Sequence, residues 1–280
     1  FFMVNFNGVI TEEEVQLSVS NRSFLYGDGV FETLKVLNDQ ILFFEDHYFR
    51  LLASMRIIRM QIPMSFTLEY FEEQILTLVR KQGVQDSARV RLTVFRNDGG
   101  YYTPTDNKVS FVIHTSALSV KSYTASETPF EVDLYKDFIV PKQLLSTLKT
   151  NNKLIQITAS IFAQENGLDT CLLINDDKNV IEAAYGNLFM LLNGQLITPP
   201  ISEGCLNGIM RKQILKLAKE LDGIEVLEQP ISPFDLQKAD ELFITNVIVG
   251  IQSVTKYRKK EFEQTIAKQL LEKLNQAIQA

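Results

Sequence analysis

Histidine and cysteine are scarce in this sequence, which contains two of each in 280 residues. His47 and His114, like Cys171 and Cys205, are far apart and lack the spacing of zinc or iron ligands. Two cysteines do not build a disulfide scaffold, and Cys171 lies in an apolar run that predicts a buried thiol. We therefore expect no metal site and a location in a reducing compartment, most simply the cytoplasm.

Charge and hydropathy exclude further classes of protein. The 28 Lys and Arg residues are outnumbered by 34 Asp and Glu residues, so the net charge of −6 gives no basic footprint for nucleic acid. The longest apolar runs are far shorter than the ~20 residues of a membrane-spanning helix. With 45% hydrophobic and 22% charged residues, the composition is that of a globular protein. We expect neither a nucleic-acid nor a membrane partner.

Familiar catalytic and nucleotide-binding motifs are also missing. Neither histidine lies near a Gly-x-Ser-x-Gly elbow, there is no Walker loop, and Gly27-Asp28-Gly29 lacks the third glycine of a dinucleotide-binding fingerprint. An enzyme with so little histidine and cysteine chemistry would use an organic cofactor, which makes lysine the residue to examine.

Length and composition predict two domains. A chain of 280 residues is long enough for two domains of modest size. Small and polar residues are concentrated just before residue 130, where they indicate a linker. We therefore expect an N-terminal domain over 1–120, a linker over 121–129 and a C-terminal domain over 130–280.

Hydrophobic periodicity predicts a mixture of strands and helices in both domains. Residues 34–44 have the pattern of a hairpin whose loop is Asn38-Asp39-Gln40, and Asn193-Gly194 fits a type I′ turn between two later strands. A helix is expected over residues 151–165. Its apolar face comprises Leu154, Ile157, Ile161 and Phe162.

Lys149 stands at the junction between a loop segment and this helix. A lysine at such a junction can be partly desolvated, which lowers its pKa and makes its amine a nucleophile. The alternative is a solvated surface lysine, and Lys149 alone does not decide between the two.

Glu182 and the segment that begins at Leu206 are the other candidates. Glu182 lies among apolar and small residues, so it is either on the surface of a strand or a buried, paired charge. A buried carboxylate could hold the ring nitrogen of pyridoxal phosphate protonated. Asn207 is expected to cap a helix over residues 209–221, and the start of that helix permits phosphate binding, although every helix has such an end.

Taken together and in order, these segments resemble the fold type IV family of pyridoxal-phosphate enzymes, also known as class IV aminotransferases. The resemblance begins at residues 21–33, Asn-Arg-Ser-Phe-Leu-Tyr-Gly-Asp-Gly-Val-Phe-Glu-Thr, and extends to residues 242–246. The family includes branched-chain and D-amino-acid aminotransferases and 4-amino-4-deoxychorismate lyase. It implies an α/β (α+β) fold with a small N-terminal α/β domain, a larger C-terminal domain with a β-barrel-like core, and a homodimer.

The resemblance also implies roles for individual residues. Lys149 is similar to the lysine that forms a Schiff base with pyridoxal 5′-phosphate, Glu182 to the partner of the ring nitrogen, and Arg50 to the phosphate-binding arginine. The other residues that it assigns to the cofactor are Leu206 on the ring face and, on the phosphate, Ile209, Met210, Asn246 and Val247. Phe31 and Tyr102 are assigned to a small-molecule amino substrate.

Three functions are consistent with this resemblance. The string Leu-Asn-Gly-Ile-Met-Arg at residues 206–211 is similar to the lyase form of the loop, so we expect a lyase that converts 4-amino-4-deoxychorismate to 4-aminobenzoate and pyruvate. The alternative is an aminotransferase acting on branched-chain or related amino acids with 2-oxoglutarate. A non-catalytic homologue is disfavoured because Lys149, Glu182 and Arg50 are all retained.

Overall fold

The computed structural model describes residues 3–279, which form two compact units. Unit 1 extends to Ser122 and includes the separate segment Lys149–Asn152. Unit 2 contains Tyr123–Leu148 and the chain from Lys153 onward. Lys149 therefore belongs to unit 1, although it is surrounded in the sequence by residues of unit 2.

Unit 1 is built on one antiparallel sheet of six strands in the order β2-β1-β6-β5-β3-β4. The strands are β1 (Val4–Phe6), β2 (Val9–Thr11), β3 (Gly29–Leu37), β4 (Gln40–Ile41), β5 (Ser87–Arg96) and β6 (Val109–Ala117). The helices are α1 (Arg22–Tyr26), α2 (Phe44–Ile57) and α3 (Leu68–Lys81).

The core of unit 1 lies on one face of this sheet. Successive side chains of a strand point to opposite faces, and Val30, Leu34 and Val36 of β3 pack in the same core as Leu51 of α2 and Ile75 of α3. Residues of the other parity in β3, β5 and β6 face away from these helices. One strand therefore supplies two different environments.

Unit 2 contains a ten-stranded sheet whose strands are mostly antiparallel. Its strands are β7 (Glu131–Leu134), β8 (Thr170–Ile174), β9 (Val180–Ala183), β10 (Gly186–Leu192), β11 (Gln195–Thr198), β12 (Glu225–Glu228), β13 (Glu241–Asn246), β14 (Gly250–Val254), β15 (Lys256–Tyr257) and β16 (Lys260–Glu261). Its helices are α4 (Leu154–Glu165), α5 (Ile209–Ala218) and α6 (Thr265–Ala277). No helix within residues 3–279 has the length and apolar character needed to cross a membrane.

Two turns show where local chemistry sets the chain path. Leu37 pairs with Gln40, so the first hairpin turns on Asn38 and Asp39 alone, both with positive φ. The expected three-residue loop is thus one residue too long. The second strand of the hairpin, expected to extend to residue 44, ends at Ile41 because α2 begins at Phe44. The Asn193-Gly194 turn is found as predicted, with φ of 51° and 79°.

Helix α4 differs from its prediction in two respects. It begins at Leu154 rather than at residue 151, because Asn151 is hydrogen-bonded to β3. Its expected apolar face is largely exposed: Leu154, Ile157 and Ile161 have 69%, 52% and 49% of their surface accessible. The small residues Ala159 and Ala163 pack into the core instead.

Helix α6 is attached to the sheet of unit 2 by one buried carboxylate. Glu241 of β13 is 2% exposed and accepts hydrogen bonds from the N–H groups of Ile266 at 2.8 Å and Ala267 at 3.0 Å. The first N–H groups of a helix have no partner within the helix. Glu241 therefore satisfies two of them and lies at the end of the helix dipole that favours negative charge.

We predict that Glu241→Ala destabilises unit 2, because it leaves two buried N–H groups without acceptors. A loss of about 2 kcal/mol is expected in the free energy of unfolding measured by urea denaturation. Glu263→Ala is the matched control, since Glu263 is exposed in the same region, and it is expected to change this free energy by less than about 0.5 kcal/mol. Equal losses in the two variants would contradict the assigned function of Glu241.

Candidate active site

Lys149 lies on a short stretch of chain that runs antiparallel to the first half of β3. The Phe31 N–H donates to the Lys149 carbonyl oxygen, and the Asn151 N–H donates to the Gly29 carbonyl oxygen, each at 2.9 Å. Opposed residues of an antiparallel pair point to the same face. The Nζ of Lys149 accordingly lies 4.8 Å from the centre of the Phe31 ring. The predicted site residues Lys149 and Phe31 are therefore neighbours.

This face of the sheet, turned away from α2 and α3, is rich in positive charge. We call it the cationic face, and it carries Phe31, Thr33, Lys35, Arg89, Arg91, His114 and Lys149. The Arg91 guanidinium lies 3.6 Å from the centre of the Phe31 ring, and its Nη2 donates to Asn151 Oδ1 at 3.2 Å. Burial, followed by the charge of Arg89, lowers the pKa of Arg91 to about 10. An anion at this face would relieve that repulsion.

Arg50 is held on the other side of β3 by a buried carboxylate. Glu32 is 2% exposed and accepts from Arg50 Nε at 2.8 Å, from Arg50 Nη2 at 2.5 Å and from His47 Nδ1 at 2.7 Å. His47 and Arg50 reach the same carboxylate because residues three apart share one face of α2. The Arg50 guanidinium is therefore fixed in position by an ion pair within unit 1.

The charge of Glu32 is retained despite its burial. Burial raises the pKa of Glu32, but the Arg50 charge and the hydrogen bonds from His47 and Arg50 outweigh burial and bring the pKa to about 2. Burial lowers the pKa of His47, which is consequently neutral at pH 7. A neutral His47 that donates from Nδ1 leaves Arg50 as the cation of the group.

The loop between β5 and β6 is anchored by two arginines that share one carboxylate. Asp28 accepts from Arg22 Nε at 2.8 Å and from Arg96 Nε at 2.9 Å. Arg22 also donates from Nη1 to carbonyl oxygens of residues 99–101. Tyr102, a predicted substrate residue, projects from this loop and is 90% exposed. The base of the loop is thus fixed while Tyr102 remains accessible.

In unit 2, Glu182 is buried and hydrogen-bonded to the turn before α5. It is 6% exposed, and one of its oxygens accepts from the Leu206 N–H at 2.8 Å. The Asn187 amide donates to the Leu206 carbonyl oxygen at 2.8 Å, so the turn is held on both sides of Leu206. Burial, followed by the charge of Glu182, raises the pKa of the Cys205 thiol to about 12. Of the two alternatives for Glu182, the buried carboxylate is correct.

The start of α5 presents backbone N–H groups rather than a side-chain cap. The residue at the N-cap is Gly208, not the expected Asn207, and it has no side chain with which to satisfy the first turn. A side chain at this position would collide with Asn187. The N–H groups of Ile209 and Met210 have no acceptor within the helix, which is the arrangement that binds phosphate.

Asn246 and Val247 form a second turn in unit 2, after β13. The Asn246 side-chain oxygen accepts from the N–H groups of Ile248 at 3.0 Å and Val249 at 3.1 Å. The Tyr123 hydroxyl donates to the Val247 carbonyl oxygen at 2.7 Å. Both contacts stabilise the turn.

Sequence reasoning did not identify Glu32, His47 or Arg91 as site residues. Glu32 could have been found from strand parity, because it is a charge at a position shared with Val30 and Leu34 in the core. Nothing in the sequence indicates that Arg91 lies beside Lys149, because that contact depends on the pairing of residues 149–151 with β3. Within the part of the chain described, no group of three or more His, Cys, Asp or Glu side chains could hold a metal ion.

The chain is similar to known proteins in both sequence and structure. The family model described as amino-transferase class IV matches residues 29–257. A protein of Methanocaldococcus jannaschii named putative branched-chain-amino-acid aminotransferase is 32% identical over 88% of this chain and 84% of its own length.

Two solved structures have the same fold. The branched-chain aminotransferase of Thermoproteus uzoniensis, crystallised with norvaline, superposes with a TM-score of 0.87 at 24% identity, over 97% of this chain and 92% of that chain. A Legionella pneumophila protein described as a putative 4-amino-4-deoxychorismate lyase superposes with a TM-score of 0.83 at 24% identity, over 95% and 96% of the two chains. The predicted fold class is confirmed.

We predict that Glu32→Gln destabilises unit 1, because Arg50 and His47 lose their anionic partner. A loss of about 3–5 kcal/mol is expected in the free energy of unfolding at pH 7, measured by urea denaturation. The pKa of Glu32 is lowered from 4.5 to about 2 in the folded state. The extra stability of the wild type over Glu32→Gln is therefore complete above pH 4.5 and declines as the pH falls toward 2.

Glu45→Gln is the matched control, since Glu45 is an exposed carboxylate on the same helix as Arg50. It is expected to change the free energy by less than about 0.5 kcal/mol. A loss in Glu32→Gln that is no larger than the loss in the control would show that the ion pair does not hold the site together.

Proposed function

The chain belongs to the class IV aminotransferase family, and we propose that it transfers the amino group of branched-chain or related amino acids to 2-oxoglutarate with pyridoxal 5′-phosphate as cofactor. The observation that carries this proposal is the position of Lys149 on the cationic face, beside Phe31 and Arg91. The name of the Methanocaldococcus relative supports this aminotransferase over the lyase that residues 206–211 favoured.

Each unit, taken by itself, offers groups that fit the cofactor by their chemistry. Unit 2 offers a buried carboxylate, Glu182, next to uncapped N–H groups at the start of α5. Unit 1 offers a primary amine and a guanidinium that Glu32 holds in place. The residues that would hold the cofactor are Arg50, Lys149, Glu182, Leu206, Ile209, Met210, Asn246 and Val247. When bound, pyridoxal phosphate supplies an electron sink for the carbon that carries the amino group.

Lys149 is the residue that moves the proton in this proposal. Its amine would hold the cofactor, and as the base it would take the proton from the substrate carbon and return it later. The nearby Phe31 ring excludes water from one side of Nζ.

Arg91 is the residue proposed to bind the amino acceptor. The amino acceptor, 2-oxoglutarate, carries a second carboxylate at the end of its side chain, and a guanidinium binds carboxylates through paired N–H groups. Arg91 shares the Phe31 ring with Lys149, so a substrate whose reacting carbon is at Lys149 can extend toward it. The ring itself offers apolar contact to a branched side chain, and Tyr102 is the second proposed substrate residue.

The lyase is retained as a second candidate because of the string at residues 206–211. We further propose a cytoplasmic homodimer. The exposed apolar side chains Leu154, Ile157 and Ile161 on α4 support assembly with a second copy, since exposed apolar patches commonly mark protein interfaces.

The two activities are separated by one pair of assays on the purified protein supplied with pyridoxal phosphate. We expect glutamate to form from L-leucine and 2-oxoglutarate, and no pyruvate or 4-aminobenzoate to form from 4-amino-4-deoxychorismate. Release of pyruvate with 4-aminobenzoate, and no glutamate, would replace the aminotransferase with the lyase. No product in either assay would contradict both.

Replacing the proposed base should abolish both cofactor attachment and turnover. The wild type is expected to show a visible absorbance band that borohydride removes, and Lys149→Ala is expected to lack it and to lose at least about a thousandfold in kcat. Lys136→Ala, at an exposed lysine, is the control and should behave as the wild type. A borohydride-sensitive band that persists in Lys149→Ala would assign the attachment to another lysine.

A further inference from the structure

The cationic face extends along β5 beyond Arg91, to the next residue that points to the same side of the sheet. Along β5, Thr93 lies opposite Phe31, Arg91 opposite Thr33, and Arg89 opposite Lys35. Residues two apart on a strand point to the same face and are about 7 Å apart along it. Arg89 is therefore on the same face as Lys149. It lies two residues farther along β5 than Arg91, on the side away from Lys149.

His114 joins the two arginines from the next strand. It is paired with Arg91 in the register of β5 and β6, which places it on the same face. Burial, followed by the charges of Arg91 and Arg89, lowers the pKa of His114. The two arginine charges therefore act on His114 and favour its neutral form, so the charges of this group are those of Arg89 and Arg91.

The charges of the two arginines are not neutralised by carboxylates of the part of the chain that the structure describes. Within residues 3–279, none of Arg89, Arg91 and His114 forms an ion pair with a carboxylate, and the hydrogen-bond partners of Arg91 are the neutral Asn151 and Thr93. Like charges that are gathered without a counterion reduce stability. A preformed group of this kind is suited to a ligand that brings the missing negative charge.

We propose that Arg89, with His114 beside it, is a specificity-determining residue that binds the terminal carboxylate of dicarboxylic substrates longer than 2-oxoglutarate. The inference rests on the proposed function, because it takes the reacting carbon to be at Lys149. The Arg91 guanidinium lies over the Phe31 ring, and in the proposed function it binds the side-chain carboxylate of 2-oxoglutarate. Arg89 is the next arginine along β5 on this face, and in this proposal its long, flexible side chain reaches back to meet a carboxylate that an additional methylene carries past Arg91.

The test compares two acceptors that differ by one methylene. With L-leucine as the amino donor, kcat/KM is measured for 2-oxoglutarate and for 2-oxoadipate. We expect the wild type to use 2-oxoadipate at least as well as 2-oxoglutarate. In Arg89→Gln the ratio of the two values, 2-oxoadipate over 2-oxoglutarate, should fall about tenfold or more, as expected for the loss of a charged hydrogen bond.

Two further variants control this measurement. Arg80→Gln removes an arginine of the same unit that is 55% exposed and paired with Asp39, and it should leave the ratio unchanged. Arg89→Lys keeps the positive charge and should restore part of the ratio that Arg89→Gln loses. An unchanged ratio in Arg89→Gln, or a wild type that uses 2-oxoadipate more than tenfold less well, would overturn the proposal.

A binding measurement separates this inference from the proposed function. Adipate and glutarate, which cannot react, are titrated into the protein carrying pyridoxal phosphate by isothermal calorimetry. Arg89→Gln should weaken the binding of adipate about tenfold more than the binding of glutarate. Selective weakening of adipate without any transamination would support the Arg89 site and contradict the aminotransferase. Transamination with equal weakening of both acids would contradict the Arg89 site alone.

Discussion

The pairing of residues 149–151 with β3 is the interaction on which the candidate site depends. Two backbone hydrogen bonds, Phe31 to Lys149 and Asn151 to Gly29, align a segment of chain that is otherwise surrounded in sequence by unit 2. They determine which face of the sheet receives the Lys149 amine. A shift of one residue would turn that amine toward the core of unit 1. The chemistry of the lysine is therefore set by strand register.

The same alternation divides the charges of β3 between two environments. Glu32 points toward α2, where the charge of Arg50 and hydrogen bonds from Arg50 and His47 bring its pKa to about 2. Phe31 points to the other face, where it meets Arg91 and the Lys149 amine. One strand thus satisfies its own buried carboxylate on one side and gathers cations on the other. Neighbouring residues contribute to different parts of the site without competing for the same partners.

The sequence predicts the elements of this fold better than their contacts. The buried strand at Cys171, the Asn193-Gly194 turn and the family follow from local pattern and motif order. The start of α4 was misplaced because backbone pairing with β3 is a long-range contact that no window of sequence contains. The exposed face of α4 was unforeseen for a related reason, since periodicity identifies an apolar stripe but not what covers it.

The arrangement of charge also explains why the same sheet can be stable and functional. On the side of the helices, removal of one partner would leave a buried charge, so Glu32, Arg50 and His47 form a group that the fold requires. On the cationic face, the charges of Arg89 and Arg91 repel each other and disfavour a charge on His114, which is an energetic cost to the fold. Residues that weaken a fold in this way are typical of functional sites, where a ligand completes the balance. The proposed substrate would bring the negative charge that this face lacks.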